Sequence, residues 1–179
     1  WTAAQKVLLN RNVEAAVIEN SIATILNEGL GYDRCQVGVI TNLDPAQHLG
    51  ECYIETPEQV CNVLRTQVDV VLENGVAVLN AADALVADMA QYCDGEVLFF
   101  AQDRSALEAH RQQGGRAVGI RDNEVLLCIG ETEKMLLKLS HIPFLDHTQD
   151  SQHLDTVLAS VGVAWALHLT PELIRAGLK

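Results

Sequence analysis

Positive charge and aromatic carbon are both scarce in this sequence. Lys plus Arg number 12 against 24 Asp plus Glu, a formal net charge of −12 over 179 residues. Nucleic-acid binding needs cations that displace counterions from phosphates, and an anionic membrane surface repels a chain of this sign. Neither nucleic acid nor membrane is expected as a partner. Aromatic residues make up only 4%, so the core must rest on Val, Leu, Ile and Ala. No uninterrupted apolar run is long enough to span a bilayer. The opening WTAAQKVLLNRN has no basic region followed by an apolar stretch, so no secretory leader is read there. The five cysteines (Cys35, Cys52, Cys61, Cys93, Cys128) are odd in number, scattered and without a C-x-x-C pair. That argues against a disulfide scaffold and a zinc site. Reduced thiols in the hydrophobic interior of a cytoplasmic protein are expected instead. The sequence also lacks G-x-x-x-x-G-K-[ST] and G-x-S-x-G, and Gly114-Gly115 has no GxGxxG context and reads as a turn.

Hydrophobic residues at 49% and charged residues at 20% are ordinary for one globular domain. Strand and helix patterns alternate along the chain. Glu14 to Glu19 reads as a buried strand, a short apolar run bounded by polar residues. Ser21 to Glu28 reads as a short helix stopped by Gly29, and Cys35 to Asn42 as a second strand. Thr56-Pro57-Glu58-Gln59 opens a helix: Thr56 suits the N-cap, Pro57 the first turn, and Glu58 the positive end of the dipole. That helix is expected to reach about Glu73, with Val60, Val63, Leu64 and Val71 on its buried side, before Asn74-Gly75 ends it. Val76 to Leu79 is a strand feeding Asn80-Ala81-Ala82-Asp83 and a helix to Tyr92. Val97 to Phe100 is another strand, followed by a weaker helix over Ser105 to Gln113. Arg116 to Arg121, Glu124 to Ile129 and Lys134 to Leu139 read as closely spaced antiparallel strands. Phe144 to Gln152 is expected to be a mobile loop. Leu154 to Leu167 and Pro171 to Leu178 read as closing helices, with Ala164, Trp165 and Ala166 as core.

Strands spaced by helices imply a mainly parallel α/β sheet flanked by helices, with a small antiparallel section. In open sheets of this kind ligands sit beyond the carboxyl ends of the strands. That rule selects Glu19 and Asn20, Asn42 to His48, Asn80 to Asp83, and Gln102 to Arg104. A carboxylate at a strand end, as at Glu19, can bind a divalent metal or its water, or can be simply solvated. His48 can ligate a metal or donate to a phosphate, or be an exposed loop residue. Asp44 is followed by Pro45 and suits a turn. Asn80 and Asp83 can bond a base or ribose where a strand feeds a helix, though Asp83 alone would serve as a cap.

Taken together, EGLGYDRCQVGVITNLDPAQHLG, then TPEQVCNVLRTQVDVVLENGVAVLNAADALVADMAQYCDGEVLFF and the tail VLASVGVAWALHLTPELIRAGL, resemble the Mur-ligase-like domain of the cyanophycin synthetases, closer to the proteobacterial than the cyanobacterial type. The resemblance covers nearly the whole chain. It implies a Mur-ligase central-domain fold with a P-loop NTPase-type core, and residues 1–179 as part of that ATP-binding domain. It further implies ATP and Mg²⁺ as cofactors and an ATP-dependent ligase that adds arginine to aspartate side chains through an acyl phosphate. Arginine, aspartate and the cyanophycin polymer primer are the implied partners, in a homo-oligomeric parent. Residue by residue, Glu19 and His48 match the family's metal-binding Glu and His as catalytic residues, and Asn80 and Asp83 match the N-A-D-D element near the nucleotide.

The departures are Gln47 in place of the Asp of D-H-L-G, Ala82 in place of an Asp of N-A-D-D, and Thr156 in place of a helix Asn. No Lys stands between Lys6 and Lys134 to match the carbamylated Lys of Mur ligases; Leu64-Arg65 occupies that region. The chain opens without a methionine and reads as a piece lying between the family's P-loop and its lid domain, inert by itself. Two other readings remain open on the same residues: a peptidoglycan Mur ligase central domain, and a degenerate Mur-like domain acting as a non-catalytic scaffold or oligomerisation unit.

Overall fold

Val76, Ala77, Val78 and Leu79 are all buried, and they divide between two cores. Successive side chains of a strand point to opposite faces. Val76 and Val78 enter a cluster with Leu98, Phe100 and Val118. Ala77 and Leu79 enter a second cluster with Val68, Val86 and Met89. A strand buried on both faces is the signature of a parallel sheet covered on both sides.

The computed structural model describes residues 2–44, 49–50, 52–145 and 151–179. Six strands form one sheet in the order β1 (Cys35–Ile40), β2 (Val71–Asn80), β3 (Glu96–Ala101), β4 (Arg116–Arg121), β5 (Glu124–Ile129) and β6 (Thr132–Lys138). β1 to β4 run parallel, and β5 and β6 add antiparallel. The expected mainly parallel α/β sheet with a small antiparallel section is therefore the observed one. Asp122 and Asn123 turn β4 into β5 with φ of 51° and 61°, the paired left-handed conformation of a tight hairpin turn.

The helices are α1 (Thr2–Leu8), α2 (Ile22–Glu28), α3 (Pro57–Asp69), α4 (Ala84–Ala87), α5 (Glu108–Gln112), α6 (Ser151–Ala166) and α7 (Pro171–Gly177). Ser21 caps α2 by accepting from Thr24 N, and Gly29 ends it at φ 74°, where glycine carries no Cβ penalty. At the start of α3 the Thr56 side chain accepts from Gln59 N while the Gln59 side chain accepts from Thr56 N at 3.1 Å. Thr56 as the N-cap follows the sequence reading, and the return bond from Gln59 completes a capping box. Glu58, bonded to backbone N–H and the Thr56 hydroxyl, is held below the usual carboxylate range. α3 and α4 pack on the face of Ala77 and Leu79, and α6 packs on the other face against β2, β3 and β4. Gly162 permits the close approach of α6: a Cβ there would lie 2.9 Å from Val78 Cγ1 and 3.1 Å from Leu98 Cδ2.

Several local expectations are corrected. Residues 14–20 form no strand, and the sheet begins at Cys35. A four-residue apolar run is a strand only when a neighbouring strand takes its backbone groups, and Val17 here is 94% exposed. The helix expected to reach Glu73 stops at Asp69, because Val71 is buried and pairs with Cys35 in the sheet. The register then jumps, Cys35 facing Val71 and Val37 facing Val76, so Leu72 to Gly75 form an irregularity within β2 rather than a helix end. The helix expected to Tyr92 is one turn of α followed by a 3-10 segment, Asp88–Tyr92. The weaker helix begins likewise as a 3-10 turn, Arg104–Leu107, before α5. Cys128 is buried as expected, but Cys52 is exposed, and none of the five cysteines is in a disulfide. Residues 146–150 of the expected mobile loop lie outside the described residues, and 151–152 begin α6.

Candidate functional site

The carboxyl edge of the parallel strands is stitched together by side chains from the loops that follow them. Asn80, the last residue of β2, is 4% exposed. Its Oδ1 accepts Ala82 N at 2.9 Å, a local turn bond that directs the chain out of the strand. Ala81 N donates to Phe100 O at 2.9 Å, so the exit from β2 stays tied to β3. The Nδ2 of Asn80 donates to no other described residue, which leaves a positioned amide donor at the strand end.

Asp83 caps α4 through Oδ1, which accepts Leu85 N at 3.0 Å and Val86 N at 3.3 Å. Its Oδ2 accepts Leu43 N at 2.8 Å from the loop after β1. The carboxylate thus satisfies three backbone donors and binds two strand-end loops to each other. Gln102, just beyond β3, donates through Nε2 to Ser151 O at 2.8 Å, Ser151 Oγ at 2.9 Å and Asp155 Oδ1 at 2.8 Å. This fixes the start of α6 over the same edge. Sequence reasoning selected Gln102 by position but missed Ser151 and Asp155. The only signal for them was a serine within the polar stretch, just where the apolar helix pattern begins.

Glu19 is exposed, in the segment without regular structure. Its neighbour Asn20 anchors that segment, donating to Tyr32 Oη at 3.0 Å and to Gln67 Oε1 of α3 at 3.2 Å. Burial pushes the Tyr32 hydroxyl pKa up. Gln47 and His48 lie outside the described residues, so the expected Glu19–His48 pair has no described geometry. Thr156, exposed on α6, returns its hydroxyl to Gln152 O at 2.9 Å. The structure therefore brings Asn80 and Asp83 together at one strand end, with Leu43 and the start of α6 tied in around them. Among the described residues no group of three or more His, Cys, Asp or Glu side chains is placed to hold a metal ion, and no helix is long and apolar enough to cross a membrane.

Comparison with known proteins supplies what this geometry alone does not. Cyanophycin synthetase of Crocosphaera subtropica is 31% identical over 99% of this chain, and that of Synechocystis sp. is 32% identical over the same share. The chain is a homologue of cyanophycin synthetase. It spans about a fifth of the length of these curated relatives, 20% in each case. No protein-family model matches it. Two crystal structures of MurF from Acinetobacter baumannii share its fold. One has a TM-score of 0.53 at 18% identity, covering 89% of this chain and 31% of that one. The other has a TM-score of 0.52 at 19% identity, covering 80% of this chain and 28% of that one. The chain thus has a Mur-ligase-like α/β fold within a cyanophycin-synthetase-like sequence, the resemblance read from EGLGYDRC, VGVITN and HLG.

Proposed function

We propose that these 179 residues are part of an ATP-dependent amide ligase of the cyanophycin synthetase type, the part that adds arginine to aspartate side chains of the polymer. The observation that carries the reading is the match to cyanophycin synthetases across 99% of the chain. The Mur-ligase fold supports it, because it places Asn80 and Asp83 at the carboxyl edge where open α/β sheets receive ligands. In this reading ATP supplies the phosphoryl group that activates a carboxylate for attack by an amine. Asn80 offers to the nucleotide amide hydrogens that no other described residue takes, and Asp83 acts indirectly by holding the loops after β1 and β2 in one arrangement. The described residues by themselves do not fit a metal ion: Glu19 is exposed and Asp83 spends both oxygens on backbone N–H groups. Glu19 and His48 stay proposed as the magnesium pair on the strength of the resemblance.

By themselves the 179 residues hold no phosphate-cradling G-x-x-x-x-G-K-[ST], and we propose that they neither hydrolyse ATP nor ligate alone. The deciding experiment is Glu19→Ala in a full-length enzyme carrying these residues, followed by separate incorporation of labelled arginine and labelled aspartate. Arginine incorporation is expected to be lost and aspartate incorporation kept; arginine addition at the unmodified rate would refute the assignment. A second reading, a scaffold without catalysis, is favoured by one observation: Asp83, the acidic residue left in N-A-A-D, is fully engaged in structural bonds. Under that reading the unmodified full-length protein incorporates no arginine.

A further inference from the structure

Four further charged side chains converge on the sheet face that carries Ala117, Leu126 and Cys128, beside Leu107. Arg104 comes from the 3-10 turn after β3, Arg111 from α5, Arg121 from the last position of β4 and Glu133 from β6. The Glu133 carboxylate meets all three arginines. Arg111 Nη2 lies 2.9 Å from Oε1, Arg104 Nη2 also reaches Oε1, and Arg121 Nη1 reaches Oε2. Arg111 is further fixed by donating Nε to Gly130 O at 3.0 Å.

One carboxylate does not balance three guanidiniums. The cluster carries a local charge of about +2, in a chain whose formal net charge is −12. Asp122, 4.0 Å from Arg121 Nε, is 89% exposed, and water screens most of what it adds. A tie between β6 and the elements around it needs a single arginine. The second and third bring mutual repulsion, which Asp122, solvent and Glu124 opposite Arg121 in the β4–β5 pairing relieve in part and a bound anion would relieve further. The cluster also has a floor and a rim. Arg111 and Glu133 are 5% and 14% exposed, whereas Arg104 and Arg121 are 32% and 48% exposed. Each guanidinium carries five N–H donors in a planar fork, and the two rim arginines direct only one or two nitrogens at carboxylates. Arg104 follows the end of β3 by three residues and Arg121 ends β4, so both rim groups stand at carboxyl ends of parallel strands.

We propose that Arg104 and Arg121, on a floor of Arg111 and Glu133, bind an oxyanion, either a phosphate or a carboxylate of a ligand. The planar forks match both groups, and the charge of arginine does not depend on pH in the working range. The site uses neither Asn80 nor Asp83 and does not rest on the ligase reading.

The test is calorimetric titration of the purified chain at low ionic strength with two probes, pyrophosphate and a tri-aspartate peptide. At least one is expected to bind, and which one does tells phosphate from carboxylate. Arg104→Ala combined with Arg121→Ala is expected to weaken that binding by about tenfold or more. Glu133→Gln, which keeps the acceptor oxygen and removes the opposing charge, is expected to bind at least as tightly as the unmodified chain. Should the double variant not fold, Arg121→Gln alone, at a half-exposed position, answers the same question through a measurable loss of affinity. Failure of both probes to bind the unmodified chain overturns the proposal, as does binding that the arginine substitutions leave unchanged.

Discussion

Asp83 Oδ2 and Leu43 N are joined by a hydrogen bond of 2.8 Å, although the two residues stand forty positions apart. The other carboxylate oxygen caps α4. One side chain therefore sets both the entry of a helix and the height of a neighbouring loop. Asp83→Ala removes all three acceptor contacts and is expected to destabilise the chain by about 1–3 kcal/mol. Asp83→Asn keeps one carbonyl acceptor and should cost less. Urea denaturation of the two variants checks the order; equal midpoints would show that the one acceptor Asn retains contributes nothing.

A close helix–sheet contact makes a second expectation. Gly162 leaves no room for a Cβ between α6 and the side chains of Val78 and Leu98. Gly162→Leu must lift α6 from the sheet or force its neighbours off their rotamers, at about 1–3 kcal/mol or more. Gly177, whose Cβ would meet nothing within 4 Å, is the control: Gly177→Ala should leave the melting temperature nearly unchanged.

His110 gives a pH dependence with a definite sign. Its ring packs edge-on against Phe99 with centroids 4.9 Å apart, and Nε2 lies 3.2 Å from Arg116 O. Burial lowers its pKa, a shift opposed by bonds to the Arg116 and Val97 backbone and by the Glu96 carboxylate. The folded state therefore takes up the imidazole proton less readily than the unfolded chain. Between the unfolded value of about 6.5 and the lower folded value, the unfolded chain binds more protons, so stability rises with pH. The contribution is complete above about pH 6.5 and is lost as pH falls toward the folded pKa. Urea midpoints at pH 7.5 and pH 5.5 should differ less in His110→Gln than in the unmodified chain.

The same histidine explains a glycine. A Cβ on Gly115 would fall 2.1 Å from His110 Nε2, so Gly115→Ala must expel the ring from its pocket. This variant should be destabilised and should lose the acid-side slope along with His110→Gln. Retention of the slope would place the titrating group elsewhere.

The parts of this fold that could be read from sequence are those decided locally. Thr56-Pro57-Glu58-Gln59 carries its whole capping chemistry within four residues, and Gly29 and Asp122-Asn123 carry their own turn geometry. The errors came where the partner is distant. Glu14 to Glu19 has the composition of a strand, but pairing decides a strand, and composition does not name the neighbour. Val71 fits the apolar pattern of α3, and only its pairing with Cys35 pulls it into the sheet. At the site, the strand-end rule selected Asn80, Asp83 and Gln102. The rule could not say that Asp83 would reach back to Leu43, nor that Glu133 would gather arginines from three other elements. Those contacts depend on which loops the sheet order brings side by side.

The layering of the two cores bears on how the chain comes to be folded during synthesis. The face of the sheet carrying Val78, Leu98, Phe100 and Val118 is covered by side chains from Leu139 onward, among them Ile142, Val157, Leu158, Val161 and Ile174. The opposite face is covered by α3 and α4, which are made along with the strands they pack on. A nascent chain can therefore close one side of its sheet early, while the other stays wet and adhesive until residues 139–174 leave the ribosome. Chaperone capture and aggregation of an incomplete chain belong to that interval, and α6 is the element whose arrival ends it.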